Sequence, residues 1–278
     1  MTESEARLTD EAVEAIAGEA FALLRTGRQT TPFSARHAPF GLEDAYRVTA
    51  AVRRLRAAAG ERPVGRKIGF TNRTIWSEYG VFAPIWGDIY DRTVCRLADV
   101  GTAFSLGGLS EPRIEPEIVF GLGSAPAAGM DETSLLECID WVALGFEIVQ
   151  SLFAGWSFTA PDTVAAFGLH GALLIGPRRP IARDRQSWRE PLTGFEIDLL
   201  RDGAPADHGR AVNVLGGPLS ALRHLNDLLA GDRSNPALAA GEIVTTGTLT
   251  RAFPVMAGET WSAQPSGIGL APISLRLG

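Results

Sequence analysis

Residues 113–120 read Arg-Ile-Glu-Pro-Glu-Ile-Val-Phe, and the alternation of charged and apolar residues in this segment predicts an extended strand. In that strand the apolar side chains point into the core, and the opposite face carries Arg113, Glu115 and Glu117. Carboxylates two residues apart on one face repel each other unless a cation lies between them. Pro116 has no N–H for a neighbouring strand, so we expect an edge or interrupted strand that a ligand can approach. An exposed acidic edge balanced by Arg113 is the alternative.

A second segment, Leu-Gly-Phe-Glu-Ile-Val-Gln at residues 144–150, places one glutamate inside an apolar run. An ionised Glu147 in such a run is unfavourable unless it is paired or binds a metal ion. Together with Glu115 and Glu117 it would form a site made only of oxygen ligands, which Mg²⁺ or Mn²⁺ prefers and Zn²⁺ does not. The sequence therefore predicts a divalent-ion site that leaves positions for water or for a chelating substrate.

Lys67 is the single lysine among 26 basic residues. In a chain so rich in arginine, a retained lysine indicates a role that arginine cannot fill, because only an amine releases its proton near neutral pH after desolvation. In a strand Lys67 would share its face with Gly65 and Gly69, which leaves room for a ligand. A nearby cation would lower the pKa of this amine, as a general base requires. Chance retention of one lysine is the alternative.

Length and composition narrow the class of protein. A chain of 278 residues of which 45% are hydrophobic can bury a full core, which excludes a disordered protein. Two cysteines are too few for a disulfide scaffold, and a net charge of −6 argues against nucleic acid as a partner. No apolar stretch is long enough to span a membrane, and the acidic N-terminus is unlike a signal peptide. We therefore expect a cytoplasmic globular protein without membrane or nucleic-acid partners.

Hydrophobic periodicity divides the chain into a helical N-terminal part, residues 1–62, and a mostly β part, residues 63–278. The predicted helices cover residues 9–26, 42–59, 134–141 and 219–229. The predicted strands cover residues 64–70, 114–122, 142–150, 172–175, 195–200, 242–246 and 270–277. This order is typical of an α+β chain and not of an alternating α/β chain. The arginine-rich face of the second helix is interpreted as solvent-exposed.

Several motifs run through nearly the whole chain in a fixed order: Gly65–Thr71, Pro112–Ile118, Glu147–Val149, Asp162–Ala165, Val214–Pro218, Ala240–Val244 and Gly247–Thr250. They resemble the 2-keto-4-pentenoate hydratase branch of the fumarylacetoacetate hydrolase superfamily, which includes 4-oxalocrotonate decarboxylases. The resemblance implies a mixed β-sheet roll with a helical N-terminal part, assembled as a homodimer or a higher homo-oligomer. It also implies that Glu115, Glu117 and Glu147 hold Mg²⁺ or Mn²⁺ and that Lys67 is catalytic.

The activity implied by this resemblance is hydration, or decarboxylation, of a 2-oxo or 2-hydroxydienoic acid from aromatic-compound catabolism through a metal-chelated enolate. Lys67 would move the proton. The candidate substrate-binding residues are Arg113, Thr248, Thr250 and Gln150, the last at a position where the family commonly has Asp or Ser. Arg113, on the face of the glutamates, would hold either one of them or the substrate carboxylate. His170 is a candidate catalytic residue that would bind the distal group of the substrate or activate water. A packed histidine bonded to a backbone carbonyl is the alternative.

Two further departures from the family pattern bear on the reaction. The family often has an aspartate linked to catalysis where this chain has Ile85, and Asp88 or Asp91 could replace it in position only. The run that follows the Asp162 motif is polar in the family, whereas here it is apolar and contains His170. These changes leave open a second reaction, C–C bond hydrolysis of an acylpyruvate such as maleylpyruvate or fumarylpyruvate. A non-catalytic protein that binds a 2-oxo acid is a third alternative.

Overall fold

The computed structural model describes residues 7–278, except for the side chains of Ile75 and Glu78. The α-helices of this part are α1 (Asp10–Leu23), α2 (Leu42–Ala58), α3 (Trp76–Tyr79), α4 (Glu132–Glu137), α5 (Ala160–Ala165), α6 (Arg189–Gly194) and α7 (Pro218–Gly231). The strands are β1 (Pro63–Gly69), β2 (Ile85–Tyr90), β3 (Val94–Arg96), β4 (Arg113–Leu122), β5 (Ile139–Val149), β6 (His170–Ile175), β7 (Arg179–Pro180), β8 (Glu196–Arg201), β9 (Ala204–Arg210), β10 (Ile243–Thr245), β11 (Phe253–Pro254), β12 (Thr260–Ser266) and β13 (Ile273–Arg276). Within the described residues, no helix is both long enough and apolar enough to cross a bilayer.

The larger of two sheets mixes parallel and antiparallel strands. Its order is β2-β1-β10-β4-β5-β6-β3, and β11 and β7 add short pairings to β4 and β5. β1 runs parallel to β10 and β3 runs parallel to β6, whereas β4 and β5 are antiparallel. The second sheet is antiparallel with the order β13-β12-β8-β9, and apolar side chains from both sheets and from α7 share one core. The predicted α+β class is confirmed.

The N-terminal helices pack on the sheet part through one apolar cluster. Thr9 caps α1 by accepting a hydrogen bond from the Ala12 N–H at 3.2 Å, which satisfies one of the free N–H groups of the first turn. The buried faces of α1 and α2 meet the rings of Phe33, Phe153 and Phe167. Two of these rings belong to the sheet part, so the helices cover it. The division of the chain at residue 62 stays a prediction.

The helix predicted over residues 134–141 is wrong in its second half. α4 ends at Glu137, and residues 139–141 already belong to β5. They are extended because Ile139 pairs with β4 and Trp141 pairs with both β4 and β7. Tertiary pairing therefore overrides a local pattern that is also compatible with a helix.

The sequence predicts that the arginine-rich face of α2 is solvent-exposed, but part of this face packs against the protein. Arg56 is buried, bonds to Glu61 at 2.6 Å, and stacks with its guanidinium carbon 3.6 Å from the centre of the Tyr90 ring. Arg53 pairs with Asp88 at 2.8 Å. These contacts attach α2 to β2, because a guanidinium can stack on a ring and bond to a carboxylate at the same time.

The sequence pattern does not predict three of the longer strands, namely β2, β9 and β12. Their sequences contain Gly87, Pro205 and Pro265, residue types that weaken the prediction of a strand. Pairing with β1 and β8 keeps these segments extended. The omission of β2 matters for function, because it lies directly beside the strand that carries Lys67.

Candidate active site

Two adjacent strands near the centre of the larger sheet carry the three glutamates. β4 and β5 pair in a register that sets Glu115 opposite Glu147 and Glu117 opposite Gly145. Side chains directly opposite one another on one face of an antiparallel pair lie close together. The strand register therefore brings Glu115, Glu117 and Glu147, the three predicted metal ligands, close together on one face of the sheet.

β4 has an interrupted neighbour on its other side. β10 pairs with residues 119–121 and β11 with residues 113–114, and nothing of regular strand structure lies between them in the described chain. Pro116 falls in this gap, where its carbonyl accepts a hydrogen bond from the Leu249 N–H at 3.1 Å. The prediction of an edge or interrupted strand is therefore wrong for β4 itself, which is continuous and lies inside the sheet, but its pairing on one side is interrupted at Pro116.

A glycine turn closes this gap and holds one carboxylate. The Gly247 N–H donates to Glu117 Oε2 at 2.8 Å. Gly247 has a φ of +90°, and a Cβ atom there would lie 1.8 Å from the hydroxyl oxygen of Thr71. Only glycine fits this position, so the turn that fixes Glu117 depends on that residue.

Lys67 reaches the same cluster from β1. Its side chain is buried, and its Nζ lies 3.3 Å from Glu147 Oε2. Burial disfavours the ammonium form, but the three neighbouring carboxylates, Glu147 above all, outweigh it and raise the pKa of Lys67. This direction is opposite to the predicted one, because the prediction considered a cation beside the amine and not the three negative charges.

The three glutamates form a compact acidic cluster. One oxygen from each lies within 4.8 Å of the other two, with Glu117 and Glu147 fully buried and Glu115 partly buried. Burial and neighbouring negative charge raise the pKa of Glu115 to about 7, and they raise the pKa of Glu117 well above its usual range. Burial also disfavours the Glu147 anion, but Lys67 and His170 outweigh it and lower the pKa of Glu147 to about 2.

A cavity lies against Lys67 and Glu115, and its other walls are mostly apolar. The further side chains that line it include Phe70, Thr71, Tyr79, Val149, Trp156, Leu169, Thr248 and Ala252. Among the described lining residues Lys67 is the only basic one. Lys67 and Glu115 are therefore the charged groups among its described lining residues, and most of the remaining wall is apolar or aromatic.

The sequence did not predict the aromatic wall. Tyr79 lies in the four-residue helix α3, which has no periodic pattern. Its ring packs against those of Phe70 and Trp156 at centroid distances of 5.8 and 6.1 Å. Phe70 could have been found, because it follows the Lys67 strand directly. Tyr79 depends on contacts between segments that are distant in sequence.

Arg113 does not point at the glutamates. Its guanidinium donates to the Tyr79 hydroxyl at 2.5 Å and lies 4.2 Å from the centre of the Trp156 ring. Among the described side chains, none of the carboxylates forms an ion pair with it. Arg113 therefore binds two aromatic residues of the cavity wall. It does not hold a glutamate, which is one of the two roles that the sequence predicts for it.

Of the remaining predicted substrate-binding residues, Thr248 lines the cavity. Gln150 is buried elsewhere, and its Oε1 accepts from the Ser110 N–H at 3.2 Å. The Thr250 hydroxyl donates to the carbonyl of Arg251 at 3.0 Å. Both of these side chains are engaged by the backbone and lie outside the cavity lining, so the structure does not bring them to a substrate.

His170 neither lines the cavity nor bonds to a backbone carbonyl through its ring. Its Nδ1 lies 2.7 Å from Glu147 Oε1, and its Nε2 lies 2.9 Å from the Thr93 hydroxyl. Burial lowers the pKa of His170, although Glu147 acts in the opposite direction. Both predicted environments are therefore replaced by a third, in which the imidazole lies behind one of the glutamates.

The acidic residues considered as substitutes at the Ile85 position lie away from the cluster. Ile85 is buried and pairs with Gly69, so it occupies the same face as Lys67. Asp88 pairs with Arg66 across the strands at 3.0 Å, and side chains one residue from Lys67 point to the opposite face. Asp91 bonds to the Arg62 backbone and side chain. The wall beside the amine is therefore apolar.

Comparison with known proteins gives the family. No family model matches the chain. A 2-hydroxyhexa-2,4-dienoate hydratase from Comamonas testosteroni is 32% identical over 255 residues, which cover 90% of this chain and 92% of that relative. A 2-keto-4-pentenoate hydratase from Paraburkholderia xenovorans is 28% identical over 94% of both chains. The chain belongs to the 2-keto-4-pentenoate hydratase branch of the fumarylacetoacetate hydrolase superfamily.

The hydratase branch also accounts for the fold. The solved 4-oxalocrotonate decarboxylase from Pseudomonas putida G7, complexed with magnesium and adipate, matches with a TM-score of 0.87 and 25% identity. The match covers 98% of this chain and 100% of the decarboxylase. The predicted mixed β-sheet roll with N-terminal helices is confirmed.

The acidic cluster of this hydratase-branch chain fits a divalent metal ion. All three side chains offer oxygen, the donor that Mg²⁺, Mn²⁺ and Ca²⁺ prefer. Within the described residues, Glu117 Oε1 is buried without a hydrogen-bond partner, and Glu147 Oε2 has no hydrogen bond but forms an ion pair with Lys67 at 3.3 Å. A buried carboxylate oxygen without a partner is unfavourable unless a cation compensates it. The structure therefore provides the ligands, and Glu117 Oε1 is an oxygen that a cation would satisfy.

We expect ion binding at this site to weaken as the pH falls. Carboxylates must be ionised to bind a metal, and the pKa of Glu115 is raised to about 7 in the metal-free protein. Because the pKa of Glu117 is raised as well, both carboxyl groups would release a proton on binding, and the apparent affinity for Mg²⁺ should fall by at least about tenfold for each unit below that pKa. Calorimetry in buffers of different ionisation enthalpy counts the released protons. An affinity that is constant across this range would contradict the expectation.

Proposed function

We propose that this chain is a divalent-ion-dependent hydratase of a 2-hydroxydienoic acid whose distal end is a hydrocarbon group. The observation that carries the proposal is a cluster of three carboxylates and the Lys67 amine, of which Glu115 and Lys67 line a cavity whose other walls are mostly apolar. The Comamonas relative, a 2-hydroxyhexa-2,4-dienoate hydratase, is named for a substrate of this class.

Glu115, Glu117 and Glu147 are the residues that would hold the ion, and we propose Mg²⁺ or Mn²⁺. When bound, such an ion supplies a Lewis acid for the carboxylate and the 2-oxygen of the substrate. The chain keeps the ligands in place: the Gly247 N–H donates to Glu117, and the pairing of β4 with β5 sets Glu115 opposite Glu147. Thr248 also lines the cavity, and in this proposal its hydroxyl would leave the carbonyl of Thr250, to which it donates at 3.0 Å, and bond to the substrate carboxylate.

Lys67 moves the proton in this proposal. The dienol loses the proton of its 2-hydroxyl group and gains one at C5, which gives a 2-oxo-3-enoate. Water then adds its oxygen at C4 and its proton at C3. Lys67 is the basic group among the described lining residues. A cation held by the three neighbouring carboxylates would neutralise the negative charge that raises the pKa of Lys67, so that the amine could release its proton more easily.

The walls of the cavity favour a substrate with an uncharged distal end. Phe70, Val149, Trp156 and Leu169 offer apolar surface, and the basic residue Arg113 is absent from the described lining. A distal carboxylate would be desolvated there without a cation to compensate it, which is unfavourable. A vinyl or alkyl end would instead be stabilised by burial.

Decarboxylation is the second candidate, because the same apolar wall supports it. A distal carboxylate that loses its hydration without gaining a cation is destabilised, and release of CO₂ removes that charge. C–C bond hydrolysis through a histidine-activated water has less support. His170 lies behind Glu147 and not on the cavity wall.

Product analysis separates these reactions. We expect the enzyme with Mg²⁺ to convert 2-hydroxypenta-2,4-dienoate into a product that is one water heavier and has the same number of carbon atoms. Mass spectrometry of the mixture, with a 2-oxohex-3-enedioate reaction run alongside, measures each outcome. Pyruvate released with a second acid would indicate hydrolysis. Binding without turnover of any of these compounds would indicate a non-catalytic protein, and either result would contradict the proposal.

Three finer points belong to the same proposal. We propose that the chain assembles as a homodimer or a higher homo-oligomer and that it works in the cytoplasm without nucleic-acid or membrane partners. The net charge of −6 supports the expectation that nucleic acid is not a partner. Light scattering of the purified protein tests the assembly.

A further inference from the structure

His170 is the one fully buried histidine of the described chain, and it bonds directly to a proposed ion ligand. Its Nδ1 lies 2.7 Å from Glu147 Oε1 and its Nε2 lies 2.9 Å from the Thr93 hydroxyl. An ionised carboxylate can only accept hydrogen bonds, so the proton between Glu147 and His170 belongs to Nδ1. The imidazole therefore donates to Oε1 and leaves Oε2, which faces Lys67, for other partners.

A bulge in β6 turns this histidine toward the glutamate. Ile148 pairs with Ala172 and Val149 pairs with His170, so Gly171 is an extra residue on β6. Side chains alternate along a strand, and one extra residue therefore moves His170 to the face that carries Glu147. A Cβ atom on Gly171 would lie 2.7 Å from the carbonyl oxygen of Ile148, so this position requires glycine.

The turn before the bulge is held in a strained conformation. Phe167, Gly168 and Leu169 have φ values of +63°, +62° and +64°, a region that side chains other than glycine rarely adopt. A Cβ atom on Gly168 would lie 3.2 Å from Cδ of Lys67, so the turn packs directly on the stem of that residue. Strain of this kind persists where the surrounding structure enforces it, commonly at functional sites.

We propose that His170 is a positioning residue that sets the affinity of the divalent-ion site by holding Glu147 through Oε1. The proposal rests on the ion site of the proposed function. The Thr93 hydroxyl fixes the ring from the other side by donating to Nε2, and its oxygen accepts a hydrogen bond from the Tyr90 N–H at 3.3 Å. Groups that orient a metal ligand in this way restrict its rotation, and their loss typically weakens metal binding. His170 then acts through Glu147 and not on the substrate.

Titration with Mn²⁺ tests this role without any substrate. We expect His170→Ala to weaken Mn²⁺ binding by about 10- to 100-fold, and turnover to recover when the ion is saturating. His170→Asn should restore most of the affinity, because its amide N–H comes close to the position of Nδ1. Thr93→Val keeps the imidazole but removes one anchor, so a smaller loss is expected. His208→Ala, at an exposed histidine bonded to Asp198, is the matched control and should bind Mn²⁺ like the wild type.

Two results would overturn the proposal. One is Mn²⁺ affinity that is unchanged in His170→Ala, and the other is a lower kcat at saturating ion with unchanged affinity, which would make His170 a catalytic residue. If His170→Ala does not fold, as unfolding curves in a chelator would reveal, Thr93→Val gives the comparison, and Mn²⁺ affinity equal to that of the wild type in this variant would overturn the proposal. Wild-type protein that binds Mn²⁺ but hydrates no dienoate would refute the proposed function and leave the role of His170 intact.

Discussion

Replacement of Lys67 by methionine should lower kcat by about 100-fold or more while Mg²⁺ still binds. The amine lies 3.3 Å from Glu147 Oε2, and it is the basic group among the described residues that line the cavity. Methionine has a similar length but no proton to transfer. Because the ammonium group competes with an ion for the same carboxylate, its removal should leave Mg²⁺ affinity equal or stronger. Steady-state kinetics and calorimetry of the same preparation measure both quantities.

Lys67→Arg is the matched control for charge. A guanidinium keeps the positive charge but does not release its proton near neutral pH, so this variant should also lose turnover. Turnover close to that of the wild type in either variant would reject a proton-transfer role for Lys67. Loss of activity accompanied by loss of Mg²⁺ binding in Lys67→Met would instead assign the residue a role in the integrity of the site.

Replacement of Glu117 by glutamine should remove ion binding and with it nearly all activity. Glu117 is fully buried, accepts from Gly247 at 2.8 Å, and has a second oxygen without a described partner. An amide lacks the negative charge that the ion requires. The loss of Lewis-acid stabilisation, several kcal/mol, corresponds to a decrease in kcat/KM of about 1,000-fold. Mg²⁺ should raise the Tm of the wild type but not that of the variant.

Glu190→Gln is the control for this substitution, because Glu190 is an exposed carboxylate on α6. It should retain both the activity and the stabilisation by Mg²⁺. If Glu117→Gln keeps its Mg²⁺-dependent shift in Tm, the ion binds elsewhere, and the assignment of the three glutamates is incorrect.

The chemistry of the site could be predicted because its signals are local. The alternation around Glu115 and Glu117, the proline between them and the one glutamate inside the apolar run at residues 144–150 are properties of two short segments. Strand geometry alone then places the carboxylates on one face. Lys67 was found by its rarity in the chain, a signal that needs no structure.

The remaining features depend on contacts between distant segments. Nothing in the local sequence shows that Gly171 is a bulge residue or that three successive left-handed residues precede it, yet these features decide where His170 points. Arg113 was expected beside the glutamates because it shares their strand. The rings of Tyr79 and Trp156 draw its guanidinium away instead. Such choices between competing partners are settled by packing and not by strand periodicity.

The most direct test of the account is anomalous diffraction from crystals of this protein soaked in Mn²⁺. A single strong peak bounded by Glu115, Glu117 and Glu147, at about 2.2 Å from a carboxylate oxygen of each and facing the Lys67 amine, is the predicted result. A peak bound by other residues, or no peak at these carboxylates while the protein turns over a dienoate, would contradict it.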